Sequence, residues 1–305
     1  MKNINFNDWS DTATILHMVT QMMGKAKLTR MEPQPQWQQI LLQLTAEGFS
    51  TGLIPYQART FAISLHLREG RVITNAIDGR SSGFSFSEGA SVADYYSEFQ
   101  RMLSEVMCYP ELYAPPMDIS VTIPFELNTQ PRGYDHQKAI DFQRLCAFAH
   151  NALLRFIAPY RGKKTMPSFF WGTFDVSAML FNGKPKPYEG GGIIERVAYD
   201  EQMIQFGFRP GEESKPEARF FIMPYPFVGK DLSNEGIEPE QAYYHKERAG
   251  FYLALEDVLA GPDPAKTVQT FFKSGYDIIT THEKWKNLDW LNQPLLTDKG
   301  SSALN

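Results

Sequence analysis

The sequence predicts an α+β fold, mainly antiparallel sheet packed with four or five helices. Three observations predict it. Apolar residues recur at helical spacing behind good capping residues in several stretches. Other runs alternate apolar and polar at period two and are joined by turn dipeptides such as Glu69-Gly70 and Asp78-Gly79. The order is helix, meander, helix, strand, helix, strands, helix, which is not the βαβ alternation of a parallel sheet.

Asp11 to Met23 reads as the first helix, with Ile15, Val19, Met22 and Met23 as its apolar stripe. Asp8, Ser10 or Asp11 caps its start, and Gly24 is a natural stop. The basic residues Lys25, Lys27 and Arg30 then read as a solvated turn or helix end. Ile40, Leu42, Leu44 and Ala46 alternate as a strand would. Phe61, Ile63, Leu65 and Leu67 alternate with polar neighbours. Glu69-Gly70 turns the chain into 71–77, and Asp78-Gly79 turns it again toward 83–87, giving an antiparallel meander with one buried face.

Ser91 and Asp94 have capping-box spacing and open a helix whose stripe is Val92, Tyr95, Tyr96, Phe99, Leu103 and Val106. Pro110, Pro115 and Pro116 mark a loop, and 118–123 a short strand ended by Pro124. Asp135 caps the longest helix, 136–157. After the basic run Arg161-Gly162-Lys163-Lys164, residues 168–181 read as one strand, closed by Asn182-Gly183. Gly190-Gly191-Gly192 is a loop without the context of a phosphate-binding motif. Strands follow at 202–208, 218–223 and 250–255. Asp263-Pro264 starts the last helix, with Val268, Phe271, Phe272 and Tyr276 inward. The organisation this suggests is an N-terminal α+β half, 1–130, a C-terminal α+β half, 131–293, and a flexible tail, 294–305. One composite domain accounts for the sequence equally well, since no Pro/Gly-rich linker divides the halves.

Composition narrows the function classes. A chain of 305 residues with 43% hydrophobic and 21% charged residues buries a core without disulfides or a structural metal. A net charge of −5 and no basic domain argue against a nucleic-acid partner. No apolar stretch is long enough for a bilayer, and the first residues have no signal-peptide pattern, so no membrane partner is expected. Two cysteines, Cys108 and Cys146, suit a reducing compartment, and the cytoplasm is the expected location. No HExxH, CxxC or paired-His spacing occurs, so no metal site is expected; the cofactor and the oligomeric state are left open.

The richest candidate is Phe169-Phe170-Trp171-Gly172-Thr173-Phe174-Asp175. Taken as a strand, it puts Phe170, Gly172 and Phe174 on an apolar core face. Phe169, Trp171, Thr173 and Asp175 fall on the other face, where aromatics beside a carboxylate and hydroxyl have the composition of a ligand pocket. Asp175 is the candidate acid or base, with Trp171, Phe169 and Thr173 as ligand contacts. His17 and Gln21, one helical turn apart, face in one direction, and His17 is the second candidate catalytic group. Tyr56 and Arg59 precede a strand, and Arg59 has the fork to clamp a carboxylate or phosphate or to pair with Asp78 or Asp94. Each has a plain structural reading too: a core Trp, a hydrogen-bonded Asp, a satisfied His, an Arg in an ion pair.

Several segments resemble the bacterial family catalogued as domain of unknown function 5996: 14–21 around His17, 54–61 around Tyr56 and Arg59, 91–99, 169–175, and 198–201 with 207–211. The resemblance runs from about Trp9 to about Tyr276. It implies an intracellular globular protein and assigns no activity, cofactor or catalytic residue. It also implies His or Trp at positions where this chain has Val19, Gln36, Ser168, Glu201 and Arg209. The function expected from the sequence is a small-molecule pocket, with an Asp/His acid–base pair if the protein is an enzyme. The alternative is a non-catalytic ligand-binding or assembly protein whose aromatic clusters are core and interface.

Overall fold

The computed structural model describes residues 1–119, 122–228 and 231–294. The fold is α+β with two antiparallel sheets. After a 3-10 turn at Phe6–Asp8 come α1 (Ser10–Leu28), a second 3-10 turn (Pro35–Ile40), and strands β1 (Gln43–Leu44), β2 (Gly48–Ser50), β3 (Ile54–Tyr56), β4 (Arg59–His66), β5 (Arg71–Ala76) and β6 (Ser81–Ser85). Then follow α2 (Val92–Glu105), a 3-10 turn at Phe125–Leu127, α3 (His136–Ile157), β7 (Ser168–Phe170), β8 (Asp175–Pro185), α4 (Ile193–Ala198), β9 (Glu201–Arg209) and β10 (Arg219–Tyr225). The chain continues through β11 (Tyr243–His245), a 3-10 turn at Lys246–Arg248, β12 (Gly250–Ala254), α5 (Leu255–Ala260), α6 (Pro264–His282) and α7 (Leu288–Leu291). The first sheet runs β1-β2-β4-β5-β6 with β3 also on β4, and the second runs β11-β12-β10-β9-β8-β7.

The chain divides into two compact units that interleave in sequence. One comprises Met1–His150, Ser168–Val176 and Phe208–Ala218. The other comprises Asn151–Pro167, Ser177–Gly207 and the described residues from Arg219 onward. In the first, the predicted antiparallel meander forms, with His66 opposite Arg71 across a turn of 67–70 that contains Glu69-Gly70. Its core is aromatic. Phe49 and Phe169 have ring centroids 4.2 Å apart, and Phe142 stacks on Phe174 at 5.1 Å. In the second, Phe156, Phe206 and Phe272 pack mutually at 4.8 to 5.4 Å.

The four long helices stand where periodicity predicts them, and α2, α3 and α6 carry the predicted caps. Ser91 accepts from the Asp94 amide while Asp94 accepts from the Ser91 amide, and Asp135 and Asp263 accept from the amides of Lys138 and Lys266. The prediction fails in five places. None of Asp8, Ser10 or Asp11 caps α1, whose N-cap is Trp9 without a side-chain bond. Gly24 does not stop α1, which continues to Leu28. A Cβ there would stand 1.9 Å from the Trp171 indole nitrogen, so the glycine marks a close approach of helix and indole. Lys25 and Lys27 are therefore inside the helix and buried, at 0% and 6% exposure, and only Arg30 is exposed. Residues 40–46 are strand only at Gln43–Leu44, because the 3-10 turn runs up to Ile40. Residues 168–181 are two strands, since 171–174 form a turn. No strand includes Asp118, Ile119, Thr122 or Ile123; Ser120 and Val121 lie outside the described residues, as does the expected tail beyond Pro294.

Candidate functional site

The turn at 171–174 decides what the aromatic run does. Gly172 permits it: a Cβ there would meet Asp118 Oδ2 at 2.5 Å and the Phe170 ring at 2.8 Å. Phe174 takes a left-handed conformation, φ +56°, which is unusual for a bulky side chain and persists only where packing enforces it. The turn breaks the period-two assignment of faces. Phe169 and Trp171 are fully buried, Phe170 is half-buried, and Phe174 points inward onto Phe142. The turn is pinned on several sides. Phe169 exchanges both backbone hydrogen bonds with Leu42 at 2.9 Å, and Trp171 Nε1 donates to the Ile40 carbonyl at 3.0 Å.

His17 is the third fastening. Its Nε2 lies 2.9 Å from the Trp171 carbonyl and 3.0 Å from the Gly172 carbonyl. Both are acceptors, so Nε2 carries the proton, and the lone pair of the neutral ring lies on Nδ1. The ring stacks on Phe174 with centroids 4.6 Å apart. Burial pushes the imidazole down to about 4, against the two carbonyls that pull it up; the Arg209 charge pushes it further down. His17 is thus neutral at pH 7.

Gln21, one turn on and fully buried, reads the backbone of Met117: Nε2 donates to its carbonyl at 2.7 Å and Oε1 accepts from its amide at 2.9 Å. Both amide groups are committed there, and its 3.5 Å approach to His17 Nε2 sets donor against donor. A further turn on, Lys25 Nζ donates to the Tyr113 and Pro115 carbonyls at 2.8 and 2.5 Å and lies over the Tyr113 and Phe125 rings. Burial pushes its ammonium down to about 8, opposed by the Asp118 charge. Lys27, bonded to the Leu41 carbonyl, is lowered to about 8 by burial too. His17, Gln21 and Lys25 therefore form a polar stripe at four-residue spacing, spent on the backbone of 113–117 and 171–172.

Asp175 follows the turn and is 1% exposed. Its Oδ1 accepts from the Thr173 hydroxyl and stands 3.5 Å from an Arg209 guanidinium nitrogen. Its other oxygen, Oδ2, is buried and accepts no hydrogen bond among the described residues. No hydrogen bond joins Asp175 to His17 among the described residues; what the two share is Arg209, which pairs with one and acts electrostatically on the other. Tyr56 and Arg59 belong elsewhere. Arg59 pairs with Asp78, one of the two partners the sequence offered, and approaches Met107; the Tyr56 hydroxyl donates to the Tyr109 carbonyl at 3.4 Å. No hydrogen bond, ion pair or ring contact among the described residues links either to His17 or Asp175.

Sequence reasoning missed Arg209, Lys25 and Asp118. Lys25 carried a usable signal, eight residues after His17 and four after Gln21 on the same helix face. Arg209 stood out only as a position where the family resemblance implies His or Trp, and only the tertiary fold brings it to Asp175.

Residues 1–290 match the profile of the Family of unknown function (DUF5996). The chain belongs to that family. No curated protein and no solved structure matches it. Among the described residues of this DUF5996 member, no group of three or more His, Cys, Asp or Glu is placed to hold a metal ion, and no helix is long and apolar enough to cross a membrane.

Proposed function

We propose that the protein binds a small polar molecule at the cluster of His17, Thr173, Asp175 and Arg209, and that this is a binding site in which His17 is not a general base. The observation that carries the reading is Asp175 Oδ2, a buried carboxylate oxygen without a donor among the described residues, beside the ion pair with Arg209. Such a group costs about 1–3 kcal/mol when left unsatisfied. A ligand that brings an ammonium, hydroxyl or amide N–H to Oδ2 recovers that cost. Thr173 and Arg209 are half-buried and give the approach. Arg209 suits a carboxylate or hydroxyl on the same ligand, so small amino acids and hydroxy acids are the first class to try.

Proton chemistry by His17 is the weaker reading. A general base works best with a pKa near the working pH, and an imidazole held near 4 by burial with its Nε2 hydrogen fixed on two carbonyls is a poor one. The cytoplasm remains the proposed location, supported by two buried free thiols. The same reading takes neither nucleic acid nor membrane as a partner. A thermal-shift screen with amino acids, hydroxy acids and small amines tests the reading. At least one class is expected to stabilise the wild-type protein and to lose that effect in Asp175→Asn. Equal stabilisation of both proteins would place any site elsewhere.

A further inference from the structure

In the second unit, four aromatic side chains meet around the ends of β8, β9 and β10. Tyr188 and Tyr225 have ring centroids 6.1 Å apart, Tyr188 and Tyr199 5.8 Å, and Tyr199 and Tyr225 5.0 Å. Phe227 is 5.5 Å from Tyr199 and 5.8 Å from Tyr225. The rings are not stacked: their planes cross at 54°, 48°, 32°, 68° and 81° in the same order, so the faces turn in different directions. Tyr225 is buried on Phe181 and Met203 and forms the floor. Tyr188 and Tyr199 are half-buried walls, and Phe227 is an exposed rim at 42%.

The backbone builds this arrangement. The Tyr188 amide donates to the Tyr199 carbonyl at 3.0 Å and the Lys186 amide to the Asp200 carbonyl at 2.8 Å, which clamps the two wall segments together. The triple glycine, which the sequence left as a bare loop, now has a reason. Gly191 has φ +65°, and a Cβ there would stand 2.9 Å from the Tyr188 ring. At Gly191 the loop lies against that ring only without a side chain.

Carboxylates follow two of the rings directly in the chain. Tyr188 is followed by Glu189 and Tyr199 by Asp200. The Tyr225 phenol is pushed up by burial and then by Tyr188, Glu189 and Asp200, so both carboxylates act at the floor of the group. Aromatic faces carry negative quadrupoles and attract a cation within about 6 Å of the centroid. Centroids this close put several faces within reach of one cation. An anion meets the wrong sign, and a neutral apolar group gains nothing from the carboxylates. Among cations, a compact primary ammonium holds its water tightly. A methylated ammonium sheds little hydration and can lie over several packed ring faces at once.

We propose that Tyr188, Tyr199, Tyr225 and Phe227 form an aromatic cage for a methylated or quaternary ammonium group, with Glu189 and Asp200 as its counter-charge. The group comes either from a free metabolite or from a methylated lysine of a peptide. The test is an NMR titration of the full chain with choline, with a short trimethyl-lysine peptide, and with 3,3-dimethyl-1-butanol, the uncharged carbon isostere of choline. The expected result is that choline or the peptide shifts the aromatic resonances of the cage, and that the neutral isostere binds roughly tenfold more weakly, within the range of cation–π energies. Tyr199→Leu, which keeps apolar bulk without a π face, is expected to weaken binding about as much. Glu189→Gln, an exposed change outside the packed rings, is expected to weaken it severalfold. If Tyr199→Leu fails to fold, the comparison of choline with its isostere on the wild-type protein still decides. Equal binding of charged and neutral probes, or no shift with choline and the peptide, would overturn the proposal.

Discussion

Two places in the first unit hold a carboxylate, a guanidinium and aromatic rings. At the 171–174 turn, Asp175 is 1% exposed and pairs with Arg209. At the corner where the start of β4 meets the turn between β5 and β6, Arg59 and Arg80 share Asp78, with all three side chains between 32% and 41% exposed. On composition the run at 169–175 is the richer candidate, and solvent exposure supplies the physical reason. Water ranks them. It screens the corner, so that ion pair adds little, while at the turn each charge must be compensated by a protein group. His17, Gln21 and Lys25 on the facing stripe of α1 are spent on backbone carbonyls or amides, which makes Asp175 Oδ2, without a hydrogen bond among the described residues, stand out.

The comparison breaks most visibly if Arg209 is removed. Arg209→Met is expected to cost about 3–5 kcal/mol, because it strands a buried carboxylate, and urea unfolding measures it. A loss under about 1 kcal/mol would mean that the turn behaves like a surface pair.

The next effect is a dependence on pH. His17 has an ordinary value of 6.5 and about 4 in the folded chain, so between those values the unfolded chain binds more protons. Stability is expected to fall by about 2 kcal/mol, allowing for partial exposure, as pH drops from 6.5 to 4. His17→Gln, which keeps a donor, should flatten that limb. Lys25 and Lys27 give the opposite end: lowered from 10.5 to about 8, they favour stability that rises with pH across that window. Stability that is flat from pH 4 to 6.5 in the wild type would contradict the burial of His17. The smallest effect belongs to the corner, where Arg59→Ala is expected to change the unfolding free energy by less than about 1 kcal/mol.

Much of the fold was legible because its signals are local. The capping box of Ser91 and Asp94, the Asp263-Pro264 start and the Glu69-Gly70 turn involve residues a few positions apart, and each holds in the structure. The largest errors come from contact between distant residues. Gly24 was read as a stop because its real reason, the Trp171 indole, lies far along the chain. Gly172 inside an aromatic run was a warning of a turn or close approach, and strand periodicity overrode it. Once the turn is admitted, Phe169 and Trp171 become core, and of the site residues read from the sequence Thr173, Asp175 and His17 remain. Arg209 joins them only in three dimensions.

The central claim is that Asp175 Oδ2 is there to receive a donor from a ligand. The most direct measurement is calorimetric binding of the best-stabilising amino acid, hydroxy acid or amine to the wild type and to Asp175→Asn, with the melting of both free proteins recorded alongside. The account predicts that Asp175→Asn stays folded and loses at least about tenfold in affinity, the weight of one charge-assisted hydrogen bond. Equal affinity in two folded proteins would contradict it.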